Sequence, residues 1–408
     1  MRNRSTIAQH APQRTPRALG QLFAILGIVV AVVLVSATAV SALVLGDLVT
    51  TATENSVDLE GQQAPPEIGA ESGEFNVLLL GLDVCEDDIK AQFGDRCSDE
   101  DAEENAGDRN DVNLLVHVAA NPRRVTVVSL PRDLMISHPA CGESYGPMEY
   151  AQLNAAYGRG GMGCAAKTVS ELTGQNVDFA IAVTFGAVID VTNAIGGVSV
   201  CLASPINDND ADLHLTAGEH KVSGYQALAF LRTRYGLVGG SDLSRIANQQ
   251  QYMSSLVRQL RSRDVLSNPA TLLKLANIAV QRSTLSSGLD PMRMVQIVLA
   301  VKDVQYEDIV FLQYPVFDDP DTSGKLVVDE AAAATMWQLI AENKQLKLTN
   351  EFDEDYSGVV LATPAPSTDP AEQPSAGPST ETPSAAVTLP SNVRGNDAGT
   401  ATCSNGAG

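Results

Sequence analysis

Charged side chains that can bind phosphate follow an apolar stretch that predicts a strand. Arg124–Leu130 is rich in β-formers, and Pro131 cannot donate to a sheet ladder, so the predicted strand ends there. Arg132 and Asp133 come next, where ligands of open α/β sheets collect. An Arg beside an Asp suits a phosphate held with a metal ion, although a surface salt bridge is an equal alternative for this stretch alone.

Three more charged clusters border predicted elements. Asp83 follows a predicted strand at Phe75–Leu82, and Arg109 and Asp111 stand at the start of another at Val112–Ala119. Mg²⁺ needs one or two protein carboxylates plus phosphate oxygens, so carboxylates at these ends can hold it.

The third cluster is Arg232 and Arg234, after a predicted helix at Ser223–Leu231. In extended backbone their side chains point the same way, and two guanidiniums match a phosphate or pyrophosphate by bidentate hydrogen bonds.

A predicted helix at Ser241–Arg263 carries a polar face. Asp242, Arg245 and Gln249 are spaced i, i+3, i+7 and therefore share one side. Any surface helix has a polar side, so a solvated face is the alternative interpretation. The histidines at 117, 138, 214 and 220 show no metal-ligand spacing, and the glycine-rich run Gly158–Gly163 lacks the Walker lysine.

Strands and helices alternate, which predicts an α/β fold with a mixed central β-sheet covered by helices. Further helices are predicted near Gly163–Thr173 and at Phe185–Ile195, Pro269–Val280, Pro291–Val301 and Asp329–Glu342, and further strands at Phe179–Thr184, Gly197–Leu202 and Asp308–Tyr314. The apolar stretch Ile181–Ile195 is typical of a core. Beneath a pyrophosphate site it would instead line a groove for a polyprenyl chain.

The N-terminal region predicts a membrane anchor. Residues 1–17 contain four arginines and no acid, and residues 18–46 contain no charged residue. That length exceeds a hydrocarbon core of ~30 Å, so we expect a single-pass helix with a cytoplasmic N-terminus and an extracellular domain. A cleaved signal peptide is the alternative. We expect an acidic stalk at 47–73, a catalytic domain at 74–350 and a disordered Pro/Ser/Thr-rich tail at 351–408.

The net charge of −22 argues against nucleic acid as a partner. The six cysteines lie beyond the predicted span, where disulfides are permitted. We expect Cys85 to pair with Cys97 and at least one pair among Cys141, Cys164 and Cys201; the sequence does not assign Cys403.

Together the motifs resemble the LytR–CpsA–Psr (LCP) family of cell-envelope proteins. The matching pieces, between about Phe75 and Arg263, are NVLLLGLD, DRNDVNLLVHV, VTVVSLPRD, LNAAYGRGG, TVSELTG, VTFGAVIDVTNAIGGVSVCL, LTAGEHKVSGYQALAFLRTRY and SDLSRIANQQQ. The resemblance implies a phosphotransferase that moves a glycopolymer from an undecaprenyl-pyrophosphate carrier to the muramic-acid hydroxyl of peptidoglycan.

The same resemblance implies a site. Asp83 and Asp111 would help to hold Mg²⁺, the pyrophosphate would meet Arg109, Arg132, Arg232 and Arg234, and the pocket would be completed by Asp133, Asp242, Arg245 and Gln249. Of these we assign catalysis to Arg132, Asp133, Arg232 and Arg234, and substrate binding to Arg109, Asp242, Arg245 and Gln249.

This chain departs from the family pattern at three places. Val84–Cys85 replaces a Ser-Arg or similar pair, and Gln152 replaces a lysine, so two cations are missing near the site. Glu219 stands where related sequences have a cysteine partner for the Cys201 position, so we expect Cys201 to pair with Cys141 or Cys164, or to stay free. A lipid-binding or scaffolding protein and a lipid pyrophosphatase are the alternative functions, and an acidic domain outside the membrane disfavours a transcription regulator.

Overall fold

The computed structural model describes residues 50–51, 56–63, 73–84, 86–93, 110–266, 268–348, 358–362 and 386–408. The predicted anchor, Arg109 and the Cys85–Cys97 pair lie outside these residues. Within the described ranges, no helix is long and apolar enough to cross a membrane.

A mixed sheet, eight-stranded in the part of the chain described, forms the centre of residues 51–408. In spatial order it contains β1 (Ser56–Val57), β12 (Ser283–Ser286), β7 (Phe179–Val183), β2 (Phe75–Leu82), β3 (Asn110–Val118), β4 (Val125–Ser129), β13 (Ile309–Gln313) and β19 (Gly395–Asp397). β2 is parallel to β7 and β4 to β13, whereas β3 is antiparallel to both neighbours. The predicted α/β class with a mixed central sheet is confirmed.

Helices cover both faces of this sheet. They are α1 (Ala155–Thr173), α2 (Phe185–Ala194), α3 (Gly224–Arg232), α4 (Asp242–Leu260), α5 (Arg263–Leu266), α6 (Pro269–Gln281), α7 (Pro291–Val301) and α8 (Glu330–Ala341). Successive strand residues point to opposite faces. Leu78, Leu80 and Leu115 therefore pack with α1 and α8, while Leu79 and Leu114 face α2, α3 and α4.

A second sheet lies beside α4. Its strands in order are β11 (Gly218–Val222), β8 (Val198–Ser204), β20 (Thr402–Asn405) and β17 (Val359–Leu361). Four two-stranded pairs complete the described strands: β5 (Met135–His138) with β6 (Met148–Gln152), β9 (Ile206–Asp208) with β10 (Leu213–Leu215), β14 (Val316–Asp318) with β15 (Leu326–Val328), and β16 (Leu346–Lys347) with β18 (Val387–Thr388).

The prediction of a disordered tail at 351–408 is wrong for residues 358–362 and 386–408. β20 lies between β8 and β17, and β19 extends the main sheet. Leu389 and Val393 are buried in the main core. Composition averaged over the whole segment concealed this, because the last strands use small residues and backbone hydrogen bonds rather than large apolar side chains.

The expectation for Cys201 is also wrong, because Cys201 is bonded to Cys403. Cys141 is bonded to Cys164, so the predicted pair among the three domain cysteines is confirmed. Cys201 and Cys403 are 202 positions apart, and a contact between such distant residues has no local sequence signal.

The stalk prediction is wrong for residues 56–63. β1 pairs with β12, and Gln62 Oε1 accepts hydrogen bonds from Ser170 Oγ at 2.8 Å and from the Val177 N–H at 2.9 Å. A few specific contacts thus hold an otherwise polar segment against the domain.

The glycine-rich run at 158–163 shapes α1. Gly160 and Gly161 interrupt the helical backbone, and Gly161 has a φ of 61°, which favours glycine. A Cβ at Gly160 would lie 2.9 Å from Cys164 Cβ and 3.2 Å from Cys141 Cβ. The run therefore makes room for the Cys141–Cys164 disulfide, and α1 begins eight residues earlier than predicted because the kink joins two helical segments.

Candidate active site

The two predicted metal ligands lie at one end of the β2–β3 pair. Asp83 directly follows β2. The pairing passes from Gly81↔Val112 to Leu82↔Asn110, so Asp111 is the extra residue of a β-bulge. A bulge at a sheet rim redirects a side chain, and here it separates Asp111 from the regular alternation of β3.

Arg132 is the centre of a cluster of carboxylates. Its Nη1 donates to Asp111 Oδ1 at 2.7 Å, and its Nε lies 3.4 Å from Asp133 Oδ2 and 3.6 Å from Asp242 Oδ1. The Arg132 side chain is 22% exposed. One guanidinium thus joins carboxylates from three different parts of the chain.

Opposite charges in this cluster favour the ionised forms of Arg132 and Asp133. Burial opposes ionisation of Arg132, but Asp111 and Asp242 outweigh it and raise the pKa of Arg132. Burial also opposes ionisation of Asp133, but hydrogen bonds from Lys325 and Arg132 lower the pKa of Asp133 below its ordinary value. Both groups are therefore charged at neutral pH.

Lys325 is a site residue that the sequence analysis missed. Its Nζ lies 2.8 Å from Asp133 Oδ1, and Gln152 Nε2 donates to the same oxygen at 3.4 Å. Lys325 stands between β14 and β15, far from Asp133 in sequence, and no local pattern marks it. It places a cation beside Gln152, where the family pattern has its own lysine.

The predicted polar face of α4 contacts the cluster. The Ser241 side chain caps the helix by accepting from the Ser244 N–H, so Asp242 is its first residue. Arg245 Nη2 lies 2.5 Å from Asp242 Oδ1 and donates to the Asp111 carbonyl at 3.3 Å. Gln249 Nε2 donates to the Leu231 carbonyl at 2.9 Å and ties α4 to the end of α3.

Arg232 and Arg234 contact different groups in the structure. α3 continues through Arg232, so the extended backbone assumed for the pair begins only at Thr233. The Arg232 guanidinium lies over the rings of Phe93 and Phe185, at 5.6 and 5.2 Å from their centroids. Burial lowers the pKa of Arg232.

Arg234 lies over the ring of Tyr235, and its Nε donates to the Gly240 carbonyl at 3.0 Å. Buried Asp208 holds this segment by accepting from Thr233 Oγ1 at 2.7 Å and from the N–H of Arg234 at 2.9 Å. Burial opposes the charge on Asp208, but these donors outweigh it and lower the pKa of Asp208.

An apolar cavity opens behind the charged residues. Its volume is about 280 Å³, and it lies between the main sheet and the helices α2, α3 and α4. Aliphatic and aromatic side chains line most of it, among them Leu79, Val127, Val188, Leu256 and Phe311. Charged groups among the described lining residues are Asp111, Arg232 and Arg245; Gln249 also lines it, whereas Arg234 does not.

Predicted core residues of the stretch 181–195 form one wall of this cavity, including Val183, Phe185 and Val191. Among the described residues, no three His, Cys, Asp or Glu side chains are grouped to hold a metal ion. A metal bound here by Asp83 and Asp111 would therefore need ligand oxygens from the substrate, which is how Mg²⁺ usually binds with phosphates.

Fold and site define a class of protein: an α/β domain in which arginines paired with carboxylates border an apolar cavity. The model of the LytR_cpsA_psr family matches residues 43–342, and the chain belongs to this family.

Two curated relatives illustrate the similarity. The chain is 31% identical over 250 residues to a probable cell wall biosynthesis protein, LcpB, of Corynebacterium glutamicum, covering 59% of this chain and 56% of the relative. It is 29% identical over 194 residues to the polyisoprenyl-teichoic acid–peptidoglycan teichoic acid transferase TagT of Bacillus subtilis, covering 46% and 53%. The matches thus span little more than half of either relative.

Solved structures support the fold. A Streptococcus agalactiae protein, gbs0355, matches with a TM-score of 0.53 and 21% identity, over 66% of this chain and 87% of its own. At this identity the likeness concerns the architecture alone.

Proposed function

We propose that this protein is a phosphotransferase that moves a glycopolymer from a polyprenyl-pyrophosphate carrier onto peptidoglycan. The observation that carries the proposal is the apolar cavity of about 280 Å³ with Arg232, Arg245 and Asp111 among its lining. Such a site matches a hydrocarbon chain attached to a pyrophosphate. The relative TagT is named as a polyisoprenyl-teichoic acid–peptidoglycan teichoic acid transferase, which supports the same reaction class.

Each arginine has a distinct part in binding the pyrophosphate. Arg232 and Arg245 border the cavity, so they would meet the phosphate groups next to the polyprenyl chain. Arg132 lies beside Arg245 through their common partner Asp242, and it would meet the phosphate that is attacked. Arg109 and Arg234 are proposed as further contacts from the resemblance.

Arginines held by carboxylates are useful because their charge is fixed before the substrate arrives. Negative charge develops on phosphate oxygens in the transition state, and preorganised donors stabilise it without moving. Asp111, Asp133 and Asp242 hold Arg132 in one orientation at distances of 2.7, 3.4 and 3.6 Å.

Mg²⁺ is proposed as the cofactor, with Asp83 and Asp111 as its protein ligands. Asp111 uses Oδ1 for Arg132 and its side chain is 26% exposed, so the group is accessible from the rim. Bound Mg²⁺ would supply positive charge to the pyrophosphate and to the leaving lipid phosphate.

Asp133 orients Arg132 rather than accepting the proton of the acceptor hydroxyl. Its carboxylate is already engaged by Lys325 and Arg132, and its lowered pKa makes it a weak base. A single-pass anchor with an extracellular domain is proposed for location, since carrier lipid and peptidoglycan meet at that membrane surface.

The test is an assay of purified protein with pyrophosphate-linked lipid carrying a glycan, plus peptidoglycan. We expect covalent transfer that requires Mg²⁺. Arg232→Gln should weaken lipid binding at least tenfold, because it removes a charge-assisted contact of ~1.5–3 kcal/mol, whereas Phe317→Ala on exposed β14 should not. Asp83→Asn should remove the stimulation by Mg²⁺.

Other products would identify another function. Release of free phosphate without glycan transfer would indicate a pyrophosphatase, and bound lipid without turnover would indicate a scaffold. Full stimulation by Mg²⁺ in both Asp83→Asn and Asp111→Asn would show that neither carboxylate holds the metal.

A second prediction concerns the lysine that the sequence analysis missed. Lys325→Gln should lower kcat/KM about three- to tenfold. Asp133 would lose its charge-assisted partner at 2.8 Å, and its carboxylate would then be held less firmly in the position that orients Arg132. Adding Gln152→Lys should restore most of the activity, because Gln152 Nε2 already reaches the same oxygen.

The control for this pair is Lys344→Gln, since Lys344 makes an exposed ion pair with Glu342 at 3.9 Å and should have no effect. Unchanged kcat/KM in Lys325→Gln, or failure of Gln152→Lys to rescue it while both proteins remain folded, would remove Lys325 from the site.

A further inference from the structure

An exposed tyrosine lies on the hairpin that borders the site. Tyr150 is 50% exposed in β6, and Gln152, two positions further, donates to Asp133 Oδ1 at 3.4 Å. Two residues of a strand advance roughly 7 Å, so Tyr150 is close to the carboxylate that orients Arg132. Ala151, between the two, is buried.

A β-bulge sets the direction of Tyr150. The pairing of β5 with β6 passes from Ile136↔Ala151 to His138↔Met148, so two residues of β6, at 149 and 150, face one residue of β5. Bulges occur next to active sites, where they redirect a side chain. Asp111 lies on the other bulge of this site, so both residues depart from regular strand alternation.

One loop joins Tyr150 to the charged cluster. The Tyr150 hydroxyl donates to Asp319 Oδ2, and the Asp319 N–H donates to the Lys325 carbonyl at 2.8 Å. Lys325 Nζ in turn lies 2.8 Å from Asp133 Oδ1. The hydrogen bond to Asp319 raises the pKa of Tyr150 to about 12, so its hydroxyl stays protonated at neutral pH. The ring is thus fixed at its polar tip, although half of the residue is exposed.

Contacts run from the apolar cavity to Tyr150 in a definite order. Asp111 lines the cavity and accepts from Arg132 at 2.7 Å, and Arg132 lies 3.4 Å from Asp133. Tyr150 comes after Asp133, and the described residues that line the cavity include neither of these two. A lipid-linked glycan has the same order, because its pyrophosphate joins the hydrocarbon chain to the first sugar. With the chain in the cavity and the pyrophosphate at the arginines, the sugar lies on the side of Tyr150.

A fixed and exposed tyrosine ring suits a sugar ring. A pyranose presents C–H groups on one face, and these pack against the electron-rich face of an aromatic ring. Its hydroxyls need polar partners, and the Gln152 amide retains an oxygen and a second N–H beside its contact with Asp133. A stable protein interface buries about 800 Å² on each partner, far more than one ring supplies, so a sugar is the better occupant.

We propose that Tyr150 is a sugar-binding residue whose ring packs against the first sugar on the pyrophosphate of the carrier lipid. The proposal rests on the function proposed above and adds the residue that recognises the glycan in it. Tyr150 makes the protein prefer a carrier that bears a glycan to one that does not.

The test measures dissociation constants of the full chain in detergent micelles by isothermal titration calorimetry. The two probes are undecaprenyl pyrophosphate and the same lipid bearing one N-acetylhexosamine. Tyr150→Ala should weaken binding of the sugar-bearing lipid about fivefold and leave binding of the sugar-free lipid within about twofold. Tyr150→Leu, which is apolar but has no ring, should show the same loss, whereas Tyr150→Phe keeps the ring and should retain most of the preference.

Tyr306→Ala is the matched control. β13 runs parallel to β4 with Ile309 beside Val125, so Tyr306 precedes the end of the sheet that lies away from Arg132. It should leave both dissociation constants unchanged.

Three results would overturn the proposal. Equal losses for both lipids in Tyr150→Ala and Tyr150→Leu, or no loss for either, would exclude the sugar contact and leave the proposed function intact. A loss confined to the KM for peptidoglycan in the transfer assay would assign Tyr150 to the acceptor glycan instead. Failure of the unaltered protein to bind either lipid would remove the proposed function and the sugar contact together.

Discussion

Arg132→Ala is expected to lower kcat about 10²–10³-fold, the usual loss when one preorganised donor to a developing oxyanion is removed. The same change should destabilise the fold by about 2–3 kcal/mol, because three carboxylates lose the guanidinium that lies 2.7, 3.4 and 3.6 Å from them. Activity is measured in the transfer assay and stability by urea unfolding.

Arg132→Lys separates these two effects. Lysine keeps the charge, so most of the stability should remain, but its ammonium cannot reproduce the planar fork that faces phosphate and carboxylates together. We expect kcat to remain at least tenfold below that of the unaltered protein. An Arg132→Ala protein that is destabilised but transfers at the normal rate would make Arg132 purely structural.

The stability loss of Arg132→Ala should depend on pH in a definite direction. The folded pKa of Asp133 is lowered, with Arg132 among the causes, so this contribution to stability is present above the unfolded pKa of ~3.9 and is lost as pH falls through the folded value. The difference between the two proteins should therefore be full at pH 7 and shrink below about pH 4. A difference that grows toward acid pH would contradict the ion-pair explanation.

Local patterns predicted most of the main sheet and several of the charged residues that lie together in the structure. β2 at Phe75–Leu82 and α7 at Pro291–Val301 have the predicted bounds, since each is a continuous apolar run with clear end signals. Arg132, Asp133, Asp242 and Arg245 come together because they follow strand ends or share a helix face. Local sequence thus indicates both where a strand or helix begins and ends and which charged residues lie at its end or on one of its faces.

Local sequence patterns did not predict the contacts between segments that are distant in the chain. Lys325 reaches Asp133 from a loop between two short strands, and its neighbours in sequence give no reason to single it out. The extended backbone assumed for Arg232 and Arg234 failed because α3 continues by one residue, which is within the usual uncertainty of helix ends. The C-terminal strands were missed because composition describes an average, whereas a strand needs only a few residues with a partner edge.

Deletion of residues 386–408 is the change for which we expect the largest loss of stability. It removes β19 from the edge of the main sheet and β20 from between β8 and β17, and so leaves buried backbone groups of β8 and β13 without partners. It also removes the disulfide that joins positions 202 apart, worth about 5 kcal/mol in the chain-entropy description. Since whole domains have about 5–15 kcal/mol, the shortened protein should be largely unfolded at 37 °C by circular dichroism.

The consequence should reach the site through α4. Ser404 Oγ donates to Asn248 Oδ1 at 2.6 Å, and Asn248 Nδ2 donates to the Phe230 carbonyl at 2.7 Å, so β20 is connected to α3 close to Arg232. A milder variant, Cys201→Ala with Cys403→Ala, should keep the strands but lower the free energy of unfolding by about 5 kcal/mol in the same description. Cys141→Ala with Cys164→Ala is the matched control, because its partners are 23 positions apart and the same description assigns it a smaller loss of about 3 kcal/mol. Equal urea midpoints for the shortened and full chains would show that the last strands do not stabilise the domain. A larger loss in the control pair than in the Cys201–Cys403 pair would show that loop length does not govern the effect.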